Sequence, residues 1–71
     1  MKHFDFVDDY SADNIAAVID QWIKHERNRA IMKSKLIDGL TYEQVAEKYD
    51  LSVRYTKTLI YSLEMKVFEH L

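Results

Sequence analysis

The chain predicts an all-α fold, a small four-helix domain, on three observations. It contains no proline and one glycine, so little interrupts regular backbone. Apolar residues recur three and four positions apart in several windows, the spacing of a one-sided helix. Hydroxyl residues stand where helices would start, at Ser11, Thr41 and Ser52, and Gly39 stands where one would end.

Residues 1–10, MKHFDFVDDY, alternate aromatic and acidic side chains and are expected to form an extended N-terminal arm. Phe4, Phe6, Val7 and Tyr10 could fold onto the core or meet a partner, and a merely frayed arm is an equal alternative. The first helix is expected over 11–24, capped by Ser11 with Asp13 at the positive end of its dipole. It would bury Ile15, Val18, Ile19, Trp22 and Ile23, with Trp22 as a core anchor. The second helix is expected over 26–38, its apolar side carrying Ala30, Ile31, Ser34, Leu36 and Ile37. Arg27, Arg29, Lys33 and Lys35 fall on the wetter side. Residues 24–28 hold neither Gly nor Pro, so one long bent helix is an alternative to two.

The remainder, 41–69, reads as a third helix over 42–49, a tight turn, and a fourth helix over 53–69. Thr41 followed by Gln44 has capping-box spacing. Ser52 caps the last helix, whose inward stripe is Thr56, Leu59, Ile60 and Leu63. That stripe leaves Arg54, Tyr55, Lys57, Thr58 and Tyr61 outside. Ala46 is small enough to let the two helices cross closely, as a helix-turn-helix requires. Met65, Val67, Phe68 and Leu71 at the end could close over the first helix or contact a second subunit.

Composition narrows the classes. Seventy-one residues make one domain, and 48% hydrophobic content supports a packed core at a size near the lower limit for one. Absence of cysteine removes disulfides and thiolate metal sites, and suits a reducing compartment. No apolar run approaches bilayer length and the start of the chain is acidic, so a cytoplasmic protein without a membrane partner is expected. His3, His25 and His70 have no ligand spacing, so no metal and no cofactor are expected. No phosphate loop or nucleophile–base constellation is present, and an enzyme is not expected. The formal net charge of −2 argues against an unspecific nucleic-acid coat. Its distribution matters more: residues 1–24 sum to −3 and residues 25–71 to +1.

From Glu26 to Val67 the chain resembles region 4 of bacterial sigma-70-type RNA polymerase sigma factors. Glu26-Arg27-Asn28-Arg29-Ala30-Ile31-Met32 is similar to the helix preceding that family's helix-turn-helix. Gly39-Leu40-Thr41-Tyr42-Glu43-Gln44-Val45-Ala46 is similar to its first helix. Tyr49-Asp50-Leu51-Ser52 matches its aromatic–Asp–aliphatic–hydroxyl turn, where other helix-turn-helix families more often place Gly. The resemblance implies a small stand-alone regulator of the kind found in bacterial, phage and mobile-element genomes, since the other sigma regions have no counterpart in this sequence.

It further implies double-stranded DNA as partner, with Val53, Arg54, Tyr55, Lys57 and Thr58 at the reading positions. Arg54 could pair with guanine, Lys57 with phosphate, and Thr58 with a thymine methyl or a phosphate. Thr41 and Ser52 could offer helix N-terminal NH groups to phosphate, and Tyr61 could stack on sugar or contact a methyl. The chain departs from the family in placing Val53 and Tyr55 where polar or basic residues are usual. A homodimer, or contact with RNA polymerase, would supply the affinity one small module lacks. A protein-interaction module that keeps the fold without reading DNA is the competing expectation.

Overall fold

The computed structural model describes residues 11–71, and the N-terminal arm expected over 1–10 lies outside them, as does His3. Four helices follow in order: α1 (Ala12–Trp22), α2 (Glu26–Leu36), α3 (Tyr42–Lys48) and α4 (Val53–Glu69). There is no strand among the described residues. None of their helices is long and apolar enough to cross a membrane.

The start signals act as capping chemistry dictates. Ser11 Oγ accepts the Asn14 amide at 3.1 Å, and Ser52 Oγ accepts the Tyr55 amide at 3.1 Å. Thr41 and Gln44 form the reciprocal box: the Gln44 amide donates to Thr41 Oγ1 at 3.1 Å and the Thr41 amide to Gln44 Oε1 at 2.8 Å. After α2, Gly39 takes the left-handed conformation at φ 74°, letting the Leu40 amide reach back to the Ser34 carbonyl.

The core draws on all four helices. Ile15 and Ile19 of α1, Ile31 and Met32 of α2, Val45 of α3, and Ile60 and Val67 of α4 are buried, with Ile23 beside them from the α1–α2 connection. Helices α2 and α4 each pack against the other three. Ala46 of α3 is buried, and α3 packs against both α2 and α4. Ser34, buried on α2, shares a 3.1 Å hydrogen bond with the Tyr49 hydroxyl, so its polar oxygen is not stranded. Of the terminal residues, Val67 is buried and Phe68 and Leu71 pack on the core, whereas Met65 remains 76% exposed.

Three expectations are corrected. First, the helices end earlier than 24 and 38, because Ile23 is already extended at φ −105° and α2 stops at Leu36. Second, Trp22 is 39% exposed and not a core anchor. The inward place at the end of α1 goes to Ile23, and Trp22 instead stacks its ring on His70 at 3.6 Å, fastening α1 to the end of α4 at the surface. Third, Arg29 is not a wetter-side residue. Half-buried, it donates to the Ile23 carbonyl at 3.0 Å and the Lys24 carbonyl at 2.7 Å.

That last pair explains why α1 and α2 are two helices without Gly or Pro between them. A helix end leaves carbonyls without amide partners, and the Arg29 guanidinium takes the one at the α1 C-cap, Ile23, together with the next, Lys24. By contrast, the Lys33–Asp20 ion pair at 2.8 Å joins the same two helices at the surface, where such pairs contribute little. Arg29→Met is therefore expected to lower unfolding free energy by about 1.5–3 kcal/mol. Asp20→Asn should cost less than about 1 kcal/mol. Urea unfolding followed by circular dichroism measures both, and equal losses would remove Arg29 from this role.

Candidate functional site

The site is built from the turn outward. Helix α3 closes through two short bonds, from the Leu51 amide to the Ala46 carbonyl at 2.8 Å and from the Asp50 amide to the Glu47 carbonyl at 3.3 Å. This 6→1 and 5→2 pairing is a Schellman closure with Asp50 at the left-handed position, φ 56°. Leu51 then turns toward the core and Ser52 caps α4. Four residues thus separate the helices, and the chain leaves the turn in one direction only.

That exit fixes which face of α4 is wet. Thr56, Ile60, Glu64 and Val67 are buried, with Leu59 and Leu63 half-buried beside them. The Thr56 hydroxyl donates to the Ser52 carbonyl at 2.8 Å, which satisfies it inside the core. Arg54, Lys57, Thr58 and Tyr61, spaced i, i+3, i+4 and i+7, are exposed along the opposite stripe. Val53 and Tyr55 are exposed on its flanks.

The eight sequence-derived positions are not equally available. Thr41 has both its amide and its hydroxyl committed to the capping box, so the amide expected to serve a phosphate is already used. The Ser52 hydroxyl is likewise occupied as a cap, while the first amides of α4 have no intrahelical partner by construction. The Thr58 hydroxyl donates to the Arg54 carbonyl at 3.2 Å, which favours its methyl as the outward contact. The Tyr55 hydroxyl accepts Arg27 Nη2 at 3.4 Å, tying the flank of α4 to α2. Tyr61, half-exposed, meets the edge of the Tyr42 ring at 5.9 Å.

The first turns of the four helices differ in charge. Helices α1, α2 and α3 each carry an acidic residue in their first turn, Asp13, Glu26 and Glu43, and α4 carries none. The partial positive charge of the α4 N-terminus is therefore unneutralised on its own helix, and Arg54 and Lys57 add to it. Farther along α4, Tyr61, Glu64, Met65 and Phe68 line an open groove of roughly 450 Å³.

Sequence reasoning missed Tyr42 and Glu64. Burial, then a hydrogen bond with Tyr61 and the Glu64 carboxylate, push the Tyr42 phenol well above its ordinary range. Glu64 is polar, so apolar periodicity passes over it, yet its place between Ile60 and Val67 on the inner stripe was a positional signal. Compared with protein-family models, curated proteins and solved structures, the chain matches none of them.

Asp50 offers a direct test of the turn. A left-handed residue with a side chain costs about 1–2 kcal/mol, least for Asp and Asn. Asp50→Gly should raise unfolding free energy by up to about 1 kcal/mol and Asp50→Val should lower it by about 1–2 kcal/mol. Urea midpoints that move the other way would show that the turn does not impose this conformation.

Proposed function

We propose that the protein is a small sequence-specific DNA-binding regulator whose α3–turn–α4 unit is a helix-turn-helix of sigma region 4 type, with α4 entering the major groove. The carrying observation is the first two turns of α4: Arg54, Lys57 and Thr58 outward on one face, with no acidic residue in the first turn. A helix presented this way places its N-terminal side chains against base edges while the preceding helix crosses the backbone. Arg54 supplies the planar fork suited to guanine O6 and N7, Lys57 a point charge for phosphate, and Thr58 a methyl for thymine. The tight Tyr49-Asp50-Leu51-Ser52 turn, with Asp50 left-handed, supports the resemblance to sigma region 4.

One such module covers limited DNA, so a second copy or the transcribing polymerase would complete the affinity. The competing reading, a protein-binding module, is favoured by half-exposed Tyr61 and by Met65 beside the groove on the later turns of α4. The two separate by salt. Binding to duplex DNA should weaken steeply as ionic strength rises, whereas apolar protein docking should change little.

Duplexes selected from a random pool provide the site for measurement. Arg54→Ala should weaken binding to the selected duplex by about 1–3 kcal/mol and relax the preference at one base pair, read by fluorescence anisotropy. Unchanged affinity would remove Arg54 from base reading. Failure of any duplex to emerge from the selection would overturn the DNA-reading proposal itself.

A further inference from the structure

The groove on the later turns of α4 is shaped for an apolar occupant. Tyr61, Met65 and Phe68 line it together with Glu64, and its volume is roughly 450 Å³. Met65 is 76% exposed, while Glu64 is buried, so rings and a thioether dominate what the groove presents. A thioether packs favourably against the edge of an aromatic ring. Contiguous apolar surface of this kind marks a contact, where single exposed residues would not.

The start of the described chain points to the occupant. Residues 1–10, MKHFDFVDDY, lead into Ser11, the cap of α1. Asn14, in the first turn of α1, lines one hollow with His70 and Leu71, just past the end of α4. The leading segment therefore joins the fold close to the last turn of α4. Met65 lies six residues before Leu71, roughly 9 Å along a helix axis. Seven extended residues reach about 23 Å, so Phe4 as well as Phe6 comes within range of the groove. With the two-residue period of extended backbone, Phe4, Phe6 and Tyr10 share one side, and Asp5 and Asp9 take the other.

Size favours this occupant over a second copy. A stable interface between separate chains takes about 20–30 residues a side, whereas four of the described residues line this groove. A covalently attached segment needs no such area, because its effective concentration is of millimolar order.

We propose that the groove is the docking site of the chain's own residues 1–10, with Phe4 and Phe6 seated against Met65, Tyr61 and Phe68. The docked segment adds aromatic surface to a core near the lower size limit for one domain. It covers Met65 and the exposed side of Tyr61, and so takes the later turns of α4 away from outside partners. Arg54, Lys57 and Thr58, earlier on the helix, remain its outward face. The inference does not depend on what that face binds.

The test uses the full chain labelled with 13C-methyl methionine, which gives three methyl signals, from Met1, Met32 and Met65. Met65→Leu identifies the Met65 signal. That signal should be displaced from its random-coil position by ring currents, and Phe4→Ala/Phe6→Ala should move it back. Buried Met32 should keep its shift in the same variant, reporting an intact core. The chain has no cysteine, so Phe6→Cys/Met65→Cys provides an independent measure even if the alanine variant fails to fold. Mild oxidation should close that pair within one monomer, since docking brings the two backbones within disulfide range. Phe6→Cys/Glu47→Cys, with Glu47 exposed on α3, should stay reduced.

A Met65 signal at its random-coil position in the wild-type chain would overturn the docking. So would a signal unmoved by Phe4→Ala/Phe6→Ala, even with a lowered melting temperature, because the segment would then act elsewhere. A Met65 shift that varies with protein concentration, or a crosslink between two chains, would give the groove to a second copy and end the proposal. None of these measurements involves DNA, so their failure leaves the reading of α4 where it stands.

Discussion

The backbone between Ala46 and Ser52 sets the phase of everything that follows it. Two closing hydrogen bonds and one left-handed residue stop α3, and the serine cap starts α4 with no slack between them. A helix begun at a fixed point has fixed faces, since each residue advances the direction by a constant angle. From Ser52 onward, Thr56, Ile60, Glu64 and Val67 must face the core if any of them does. Arg54, Lys57, Thr58 and Tyr61 must then face out. One more or one fewer residue in the turn would rotate α4 by roughly 100° and exchange those roles.

The same constraint organises the electrostatics. With a net charge of −2 the chain has no general affinity for polyanions to rely on. What it has is local: a first turn of α4 without a carboxylate, and the exposed cations Arg54 and Lys57 in its first two turns. Three other basic side chains have partners within the chain. Arg29 closes the end of α1, Lys48 reaches the Ser34–Tyr49 pair, and Lys33 meets Asp20. A protein that concentrates so few charges on one face depends on their geometry more than on their number.

The four helices, three caps and two of the buried positions of α4, Thr56 and Ile60, were legible in the sequence because each follows from local rules. Hydroxyl caps and i+3/i+4 apolar spacing need no knowledge of distant residues. The misjudged positions were decided over a longer range. The break between α1 and α2 has no Gly or Pro because Arg29, five and six residues on, satisfies the freed carbonyls. Trp22 lost the core to its neighbour Ile23, a competition that periodicity cannot resolve because adjacent residues differ by only 100°. At the candidate site, exposure of the α4 stripe could be read in advance. The engagement of the Thr58 hydroxyl could not, since a bonded and a free donor look alike in one-letter code, whereas that of the Thr41 amide was implicit in the capping-box spacing.

The buried Glu64 shows how closely α3 and α4 are linked. It lies on the inner stripe, yet its carboxylate acts on Tyr42. Retaining a carboxylate inside so small a core is costly, and an apolar residue of similar volume is often neutral or better for stability. Selection for stability alone would favour Leu or Met at this position. Core and surface are then linked through α3, since the phenol on which Glu64 acts belongs to the first residue of that helix.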